Sequence, residues 1–372
     1  MDLDLTPEQE LLRETVRGLC ARHASLAVVR QMEDDPIGYP PALWEQLGSL
    51  GLLGMSIPEE FGGSAMTALD GAVVYTELGA ALAPSPHFAS SVLSAGLIAR
   101  SAPGAMKAEW LPRISAGDAI VTPAWLEPGG GYGPAGVGME AVRDGEDFIL
   151  TGTKRHVVFA AAATRLLVLA RDDGDVVALL VDPTAAGVEL TQQMTVASDT
   201  QYRVSFDAVR VPGDALVSRA WSAWDQVMHD GIILLAAYAA GGARHALDIT
   251  VQYSKDRHQF DKPLGAFQAL AHNMADAVTA VDGAEMLVHE AAWARSEGRS
   301  VERLAPMAKL FACRTFRDVT ATAQQIFGGV GFTLDYDIQL YFRRAKQLEL
   351  SWWDTRYLED LVAADVLDRV TA

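Results

Sequence analysis

The chain has 372 residues, of which half are apolar and 21% charged; it is long enough to bury a large core in two or three domains and too apolar for a disordered polyelectrolyte. Its 30 Lys and Arg against 48 Asp and Glu give a formal charge of -18 with no basic run, which argues against a nucleic-acid or anionic-membrane surface. Cys20 and Cys313 have neither CxxC spacing nor His neighbours, so they read as buried small apolar residues rather than as zinc ligands or a disulfide.

Three zones follow one another along the chain. The opening MDLDLTPEQE is acidic and lacks the apolar core of a signal peptide, so a cytoplasmic protein is expected. Residues 1–115 read as helical. Thr6, Pro7 and Gln9 form a capping-box start with proline at the first helical position, and Leu12, Val16 and Leu19 recur at helical spacing. Ala and Leu dominate Tyr75 to Leu82, Pro84 and Pro86 break that helix, and Ser90 to Arg100 resumes it. Ile57 to Gly63, IPEEFGG, reads as a loop.

Residues 116–217 change period. Asp144-Gly145 lies between Ala141-Val142 and Phe148–Leu150, a hairpin signal. Asp172-Asp173-Gly174 lies between Leu166–Ala170 and Val176–Val181, a second one, and Val204 to Val211 reads as a further strand before Pro212. Short strands with tight turns predict an antiparallel barrel or sandwich. Residues 218–372 return to helical spacing over Trp221–Ser254, Phe267–Ser296, Val301–Phe327 and Ile338–Leu367, a four-helix bundle. The longest apolar stretch, Ile232–Ala243, is shorter than the ~20 residues a bilayer span needs and reads as a buried helix, so no membrane span is expected. The expected class is α+β: helices, a β middle, then a bundle.

Seven segments in this order resemble the acyl-CoA dehydrogenase family. They are IPEEFGG at Ile57; WLEPGGGYG at Trp125, similar to the flavin-contacting TEPGAGS segment; and FILTGTKRHVVFA at Phe148, similar to a strand reading G-x-K-x-W-I-T. The others are VSFDAVRVP at Val204; YSKDRHQFDKPLGAFQALAHNMAD at Tyr253, similar to R-x-x-F-G…FQ…ADM; QQIFGGVGF at Gln324, similar to Q-x-x-G-G-x-G-F; and LYFRRAK at Leu340, similar to the R-D-A-K before the family's catalytic loop.

The resemblance implies FAD bound between subunits of a dimer or tetramer, an acyl-CoA substrate, and electron-transfer flavoprotein as acceptor. It also implies desaturation of the acyl-CoA: a carboxylate removes the α-proton while the β-hydrogen leaves as hydride to the flavin. Such a base needs a desolvated pocket that raises its pKa, and the thioester carbonyl needs donors as enolate charge develops. Arg257 and Phe260 match R-x-x-F, and Gln325, Gly328 and Gly329 match the glycine turn. These residues are expected to serve the adenine and pyrophosphate end of a neighbour's FAD, where a guanidinium fork suits phosphate oxygens.

The flavin-ring half departs from the family. Leu126 and Tyr132 replace hydroxyl residues, and His156 and Val158 replace the Trp and Thr of the W-I-T strand; a lone His on a strand reads as structural, with stacking on a flavin as the other reading. The base departs too. The usual Glu position falls on Trp352 and the minority position on Gly231. Asp230 and Asp354 stand nearby as weak substitutes, since one residue along a helix turns a side chain by about 100°. Glu349 reads as structural, and Trp352 with Trp353 reads either as filling the acyl cavity or as ordinary core.

The expectation is therefore a subunit of a heteromeric acyl-CoA dehydrogenase, α2β2, whose homologous partner supplies the Glu. Heteromers of this family act on CoA-activated sterol side chains in bacteria. The alternatives are a homomeric dehydrogenase using Asp230 or Asp354, a scaffold without flavin, and a relative oxidising nitro or amino compounds.

Overall fold

Residues 4–368 are described in a computed structural model. Helices α1 (Pro7–His23), α2 (Leu26–Gln31), α3 (Pro41–Ser49), α4 (Ala68–Ala80), α5 (Ala95–Ser101) and α6 (Gly104–Ala116) come first. Strands β1 (Val121–Ala124), β2 (Ala141–Asp144), β3 (Asp147–Val158), β4 (Arg165–Asp172), β5 (Asp175–Val181), β6 (Val188–Gln193), β7 (Gln201–Val211) and β8 (Leu216–Ser218) follow. Then come α7 (Trp221–Asp256), the short hairpin β9 (His258–Gln259) and β10 (Lys262–Pro263), α8 (Gln268–Ser296), α9 (Leu304–Phe327), α10 (Ile338–Leu350) and α11 (Thr355–Asp368). Helices, strands and helices follow one another as the α+β class requires.

Packing divides these elements into two compact units that interleave in sequence. The first joins Met1–Val29 and Thr67–Ala83 to Ile232–Ala372; the second is Arg30–Met66 with Pro84–Gly231.

The second unit holds two four-stranded sheets, ordered β1-β4-β5-β8 and β2-β3-β7-β6. One face of each meets the other in a shared core of Leu166, Val168, Leu179, Phe148, Val204 and Phe206. Both expected hairpins form. Asp173 and Gly174 each take positive φ, 52° and 88°, as a two-residue type I′ turn requires. Neither β6 nor β8 was read from the sequence, nor was β1; β1 pairs parallel with β4, so the sandwich is not wholly antiparallel. Its sequence, VTPA, is too short and contains proline. The helix expected from Ser90 begins instead as a π-helix, Phe88–Ser94, on which Ser90 Oγ accepts the Val121 N–H at 3.1 Å.

In the first unit, Thr6 and Gln9 cap α1 reciprocally, and Thr67 with Asp70 repeats the device at α4. Gln9 Nε2 donates to Asp70 Oδ1 at 2.9 Å, tying the two helix starts together. Helices α4 and α7 meet backbone to backbone: a Cβ on Gly79 would lie 2.0 Å from the Tyr238 carbonyl oxygen, and one on Gly241 would lie 2.0 Å from that of Thr76. Every residue of Ile232–Ala243 is buried. Helix α7 is long and apolar enough to cross a membrane, but 78% of its most apolar window is buried in the fold, as befits a core helix.

The helix expected over Ile338–Leu367 is two helices. It breaks at Ser351–Asp354, where Trp352 and Trp353 take left-handed φ of 54° and 72°. An uninterrupted apolar period hid a break made by backbone conformations that bulky residues rarely adopt.

Candidate cofactor-facing site

The two motifs expected to face a dinucleotide meet in the first unit. The rings of Tyr253, one turn before Arg257, and Phe327, just before Gly328, stack at 4.0 Å with planes 12° apart. Tyr336 stands edge-on to both. The Arg257 carbonyl accepts the Leu264 N–H at 2.8 Å across the β9–β10 hairpin. At the hairpin tip, Phe260 and Asp261 have φ of 55° and 64°, conformations that cost a non-glycine roughly 1–2 kcal/mol each. Phe260 is 86% exposed, touching Phe267 edge-on. Arg257 and Gln325 are exposed, and the Arg257 guanidinium has no acceptor among the described residues. Gly328 has φ 67°, and a Cβ on Gly328 or Gly329 would meet nothing within 4 Å. Arg257, Phe260 and Gln325 are thus exposed, and the Tyr253–Phe327 stack is the contact that joins the two motifs.

The segment resembling the flavin-ring loop, in the second unit, is pinned by an ion pair that the sequence reading missed. Lys154 Nζ, with no exposed surface, donates to Glu127 Oε1 at 2.6 Å. Glu127 also accepts the N–H groups of Gly138 and Met139 at 3.1 and 3.0 Å, closing residues 127–139 into a loop. Burial pushes the Lys154 ammonium down to about 8, against the opposing pull of Glu127. The signal lay in the two matched motifs: Glu127 is the lone charge of WLEPGGGYG, and Lys154 stands beside Arg155 in a segment reading as strand. Trp125 packs against Tyr132 and Trp224, with centroids at 6.0 and 5.5 Å. His156 is exposed at a bulge in β3, with φ 54°, and Nδ1 donates to Gln201 Oε1 at 2.9 Å.

Each carboxylate considered as a base is engaged. Asp230 pairs with Arg100 at 2.8 Å, and Arg100 also reaches Gln226. Asp354 caps α11, accepting the Tyr357 N–H at 2.9 Å. Glu349 is buried between Arg317 and Lys346, the latter at 2.7 Å, in a structural role. Gly231 is crowded: a Cβ there would stand 2.8 Å from Leu93 Cδ2 and 3.3 Å from the Phe88 ring, so those side chains would have to shift. Trp352 is half-buried and Trp353 wholly buried, packed on Tyr357 at 5.3 Å. Lys309, also without exposed surface, donates to the carbonyls of Leu348 and Trp353 at 3.2 and 2.9 Å, holding the break between α10 and α11.

Cys20 and Cys313 are free and buried. Among the described residues, no group of three or more His, Cys, Asp or Glu is placed to hold a metal ion.

The N-terminal, middle and C-terminal domains of acyl-CoA dehydrogenase match residues 6–118, 123–209 and 221–351. Acyl-CoA dehydrogenase IpdE2 of Mycolicibacterium smegmatis is 34% identical, over 92% of this chain and 93% of its own. The ChsE4-ChsE5 complex from Mycobacterium tuberculosis superposes with a TM-score of 0.90 at 26% identity, covering 98% of this chain and 99% of the matched one. The Tcur3481-Tcur3483 steroid ACAD G363A variant gives 0.88 at 29%, with the same coverage. The cofactor of the acyl-CoA dehydrogenase family is FAD, and its chemistry is oxidation at a CH–CH bond. Full-length similarity in all three domains makes this chain a member of the acyl-CoA dehydrogenase family.

Proposed function

We propose that this chain is the non-catalytic subunit of an α2β2 acyl-CoA dehydrogenase and completes the adenine and pyrophosphate side of its partner's FAD site. What supports this reading is the base: the family's two positions, laid on this sequence by the neighbouring motifs, fall on Trp352 and Gly231, and the nearby Asp354 and Asp230 are engaged in a helix cap and an ion pair. The partner, a homologous subunit, supplies the Glu, the flavin-ring pocket and the acyl-CoA pocket.

The exposed motif residues fit such a role. Arg257 offers an uncommitted guanidinium fork for pyrophosphate oxygens, and the open turn at Gly328 and Gly329 admits a dinucleotide to within backbone reach. Phe260, held exposed in a strained turn, gains burial only against another molecule. FAD, when bound, accepts the β-hydrogen as hydride. This chain's residues bind, orient and exclude water.

Two structural relatives were solved as steroid or paired-subunit proteins, the ChsE4-ChsE5 complex and the Tcur3481-Tcur3483 steroid ACAD. They support a heteromer and a sterol side-chain CoA ester as the substrate class; electron-transfer flavoprotein as acceptor rests on the family resemblance alone.

The test is a flavin spectrum of the chain alone and co-expressed with a homologous subunit. A colourless chain, a complex with one FAD per heterodimer, and a loss of that FAD in Arg257→Ala are expected. A yellow chain with one FAD per subunit, bleached by an acyl-CoA, would overturn the reading and turn attention to Asp230 and Asp354. Unchanged flavin in Arg257→Ala would favour a scaffold.

A further inference from the structure

The first unit contains a cavity of about 840 Å³ walled by α1, α4, α7 and α8, which shares no residue with the Arg257 and Gln325 motifs. Its size falls within the roughly 300–1,000 Å³ of small-molecule sites. We propose that it binds an amphipathic organic monocarboxylate, with the acid group on the arginines and the apolar body on the helix faces.

The apolar wall is built from small side chains, among them Cys20, Ala24, Val73 and Ala80. Small side chains leave width for a bulky body instead of filling the space themselves. His245 adds a flat surface, lying on the Tyr341 ring at 5.4 Å and 28°. Burial keeps His245 and His289 on the neutral side of their usual range, so they add donors and acceptors without charge.

The arginines choose the head group. Arg17 donates Nε and Nη2 to Glu77 at 3.0 and 2.9 Å, and Arg244 does the same to Glu285 at 3.0 and 2.8 Å. Arg244 Nη2 also donates to Asp282, and Arg13 Nη2 pairs with Glu10; the Nη1 edges of Arg17 and Arg244 have no acceptor among the described residues. Arg13 Nε is buried without an acceptor among them. Three arginines with donors to spare want an oxygen acid, and a planar carboxylate suits their geometry.

Charge sets the limit. Five carboxylates (Asp4, Glu10, Glu77, Asp248, Glu285) and three arginines line the cavity, and 3 − 5 leaves −2. A doubly charged phosphate would meet that field at full strength. A single carboxylate on an apolar body meets less of it and gains burial in addition.

Calorimetric titration of the full chain, in its purified assembly, with decanoate, decanol and decylammonium tests this. Decanoate is expected to bind at least tenfold tighter than either of the others. Ala21, exposed on α1 yet lining the cavity, permits Ala21→Trp to enter the space from the solvent side. That variant should lose at least tenfold in decanoate affinity with its melting temperature retained. Arg13→Met should weaken decanoate but leave decanol unchanged. Tighter binding of decylammonium, or decanoate binding that neither variant alters, would overturn the proposal.

Discussion

Lys309 Nζ donates to the Trp353 carbonyl at 2.9 Å, with both side chains closed to solvent. Burial pushes the ammonium down from its ordinary value, and its other bond, to Leu348, seals the end of α10. Lys309→Met keeps the volume and strips both carbonyls of their donor. Each unsatisfied carbonyl costs about 1–3 kcal/mol, offset by no longer burying a charge, so a loss of ~2 kcal/mol is expected. Urea unfolding at constant m-value measures it, and an unchanged midpoint would mean that something else holds the Trp352 break.

The Lys154–Glu127 pair gives a pH signature. The Lys154 ammonium is pushed from 10.5 down to about 8, so between these values the folded chain binds fewer protons than the unfolded one. This group's contribution to stability is therefore lowest below pH 8 and rises toward pH 10.5, by ~3 kcal/mol at 1.36 kcal/mol per pH unit. Denaturation of the parent and Lys154→Met at pH 7.5, 8.5 and 9.5 should show the parent gaining on the variant. Parallel curves would refute the assignment.

His87 is buried with Nε2 donating to the Leu52 carbonyl at 2.9 Å, and burial lowers its pKa from 6.5 to about 4. Stability from the neutral ring is full above pH 6.5 and falls as pH drops toward 4, by ~3 kcal/mol. The urea unfolding midpoint of His87→Gln, measured at pH 6.5, 5.5 and 4.5, should fall less steeply than that of the parent over that window; equal slopes would refute the assignment.

Restoring a carboxylate should not restore an enzyme. Trp352→Glu is expected to fold yet give no acyl-CoA-dependent dye reduction by this chain alone, because Leu126 and Tyr132 still stand in the flavin-ring loop. Gly231→Glu should lose ~3 kcal/mol or more, since its Cβ already collides with Leu93. Turnover by Trp352→Glu alone would show that only the base had been missing.

Gly79→Ala and Gly241→Ala test the α4–α7 crossing. A methyl 2.0 Å from a carbonyl oxygen forces the helices apart, at ~3 kcal/mol or more for each. A thermal midpoint within a degree of the parent would contradict the crossing.

Local chemistry was legible before any coordinates. The Thr6 and Gln9 cap, the Asp173-Gly174 turn and the order of helices, strands and helices follow from residues whose conformational preferences act over a few positions. Tertiary structure alone decided the rest. The parallel pairing of β1, the Lys154–Glu127 clamp, the Arg100 hold on Asp230 and the Lys309 seal on the Trp353 carbonyl join residues 27 to 130 positions apart. No periodicity encodes such pairs; they are settled by which buried charges and backbone groups find partners once the helices and sheets have packed.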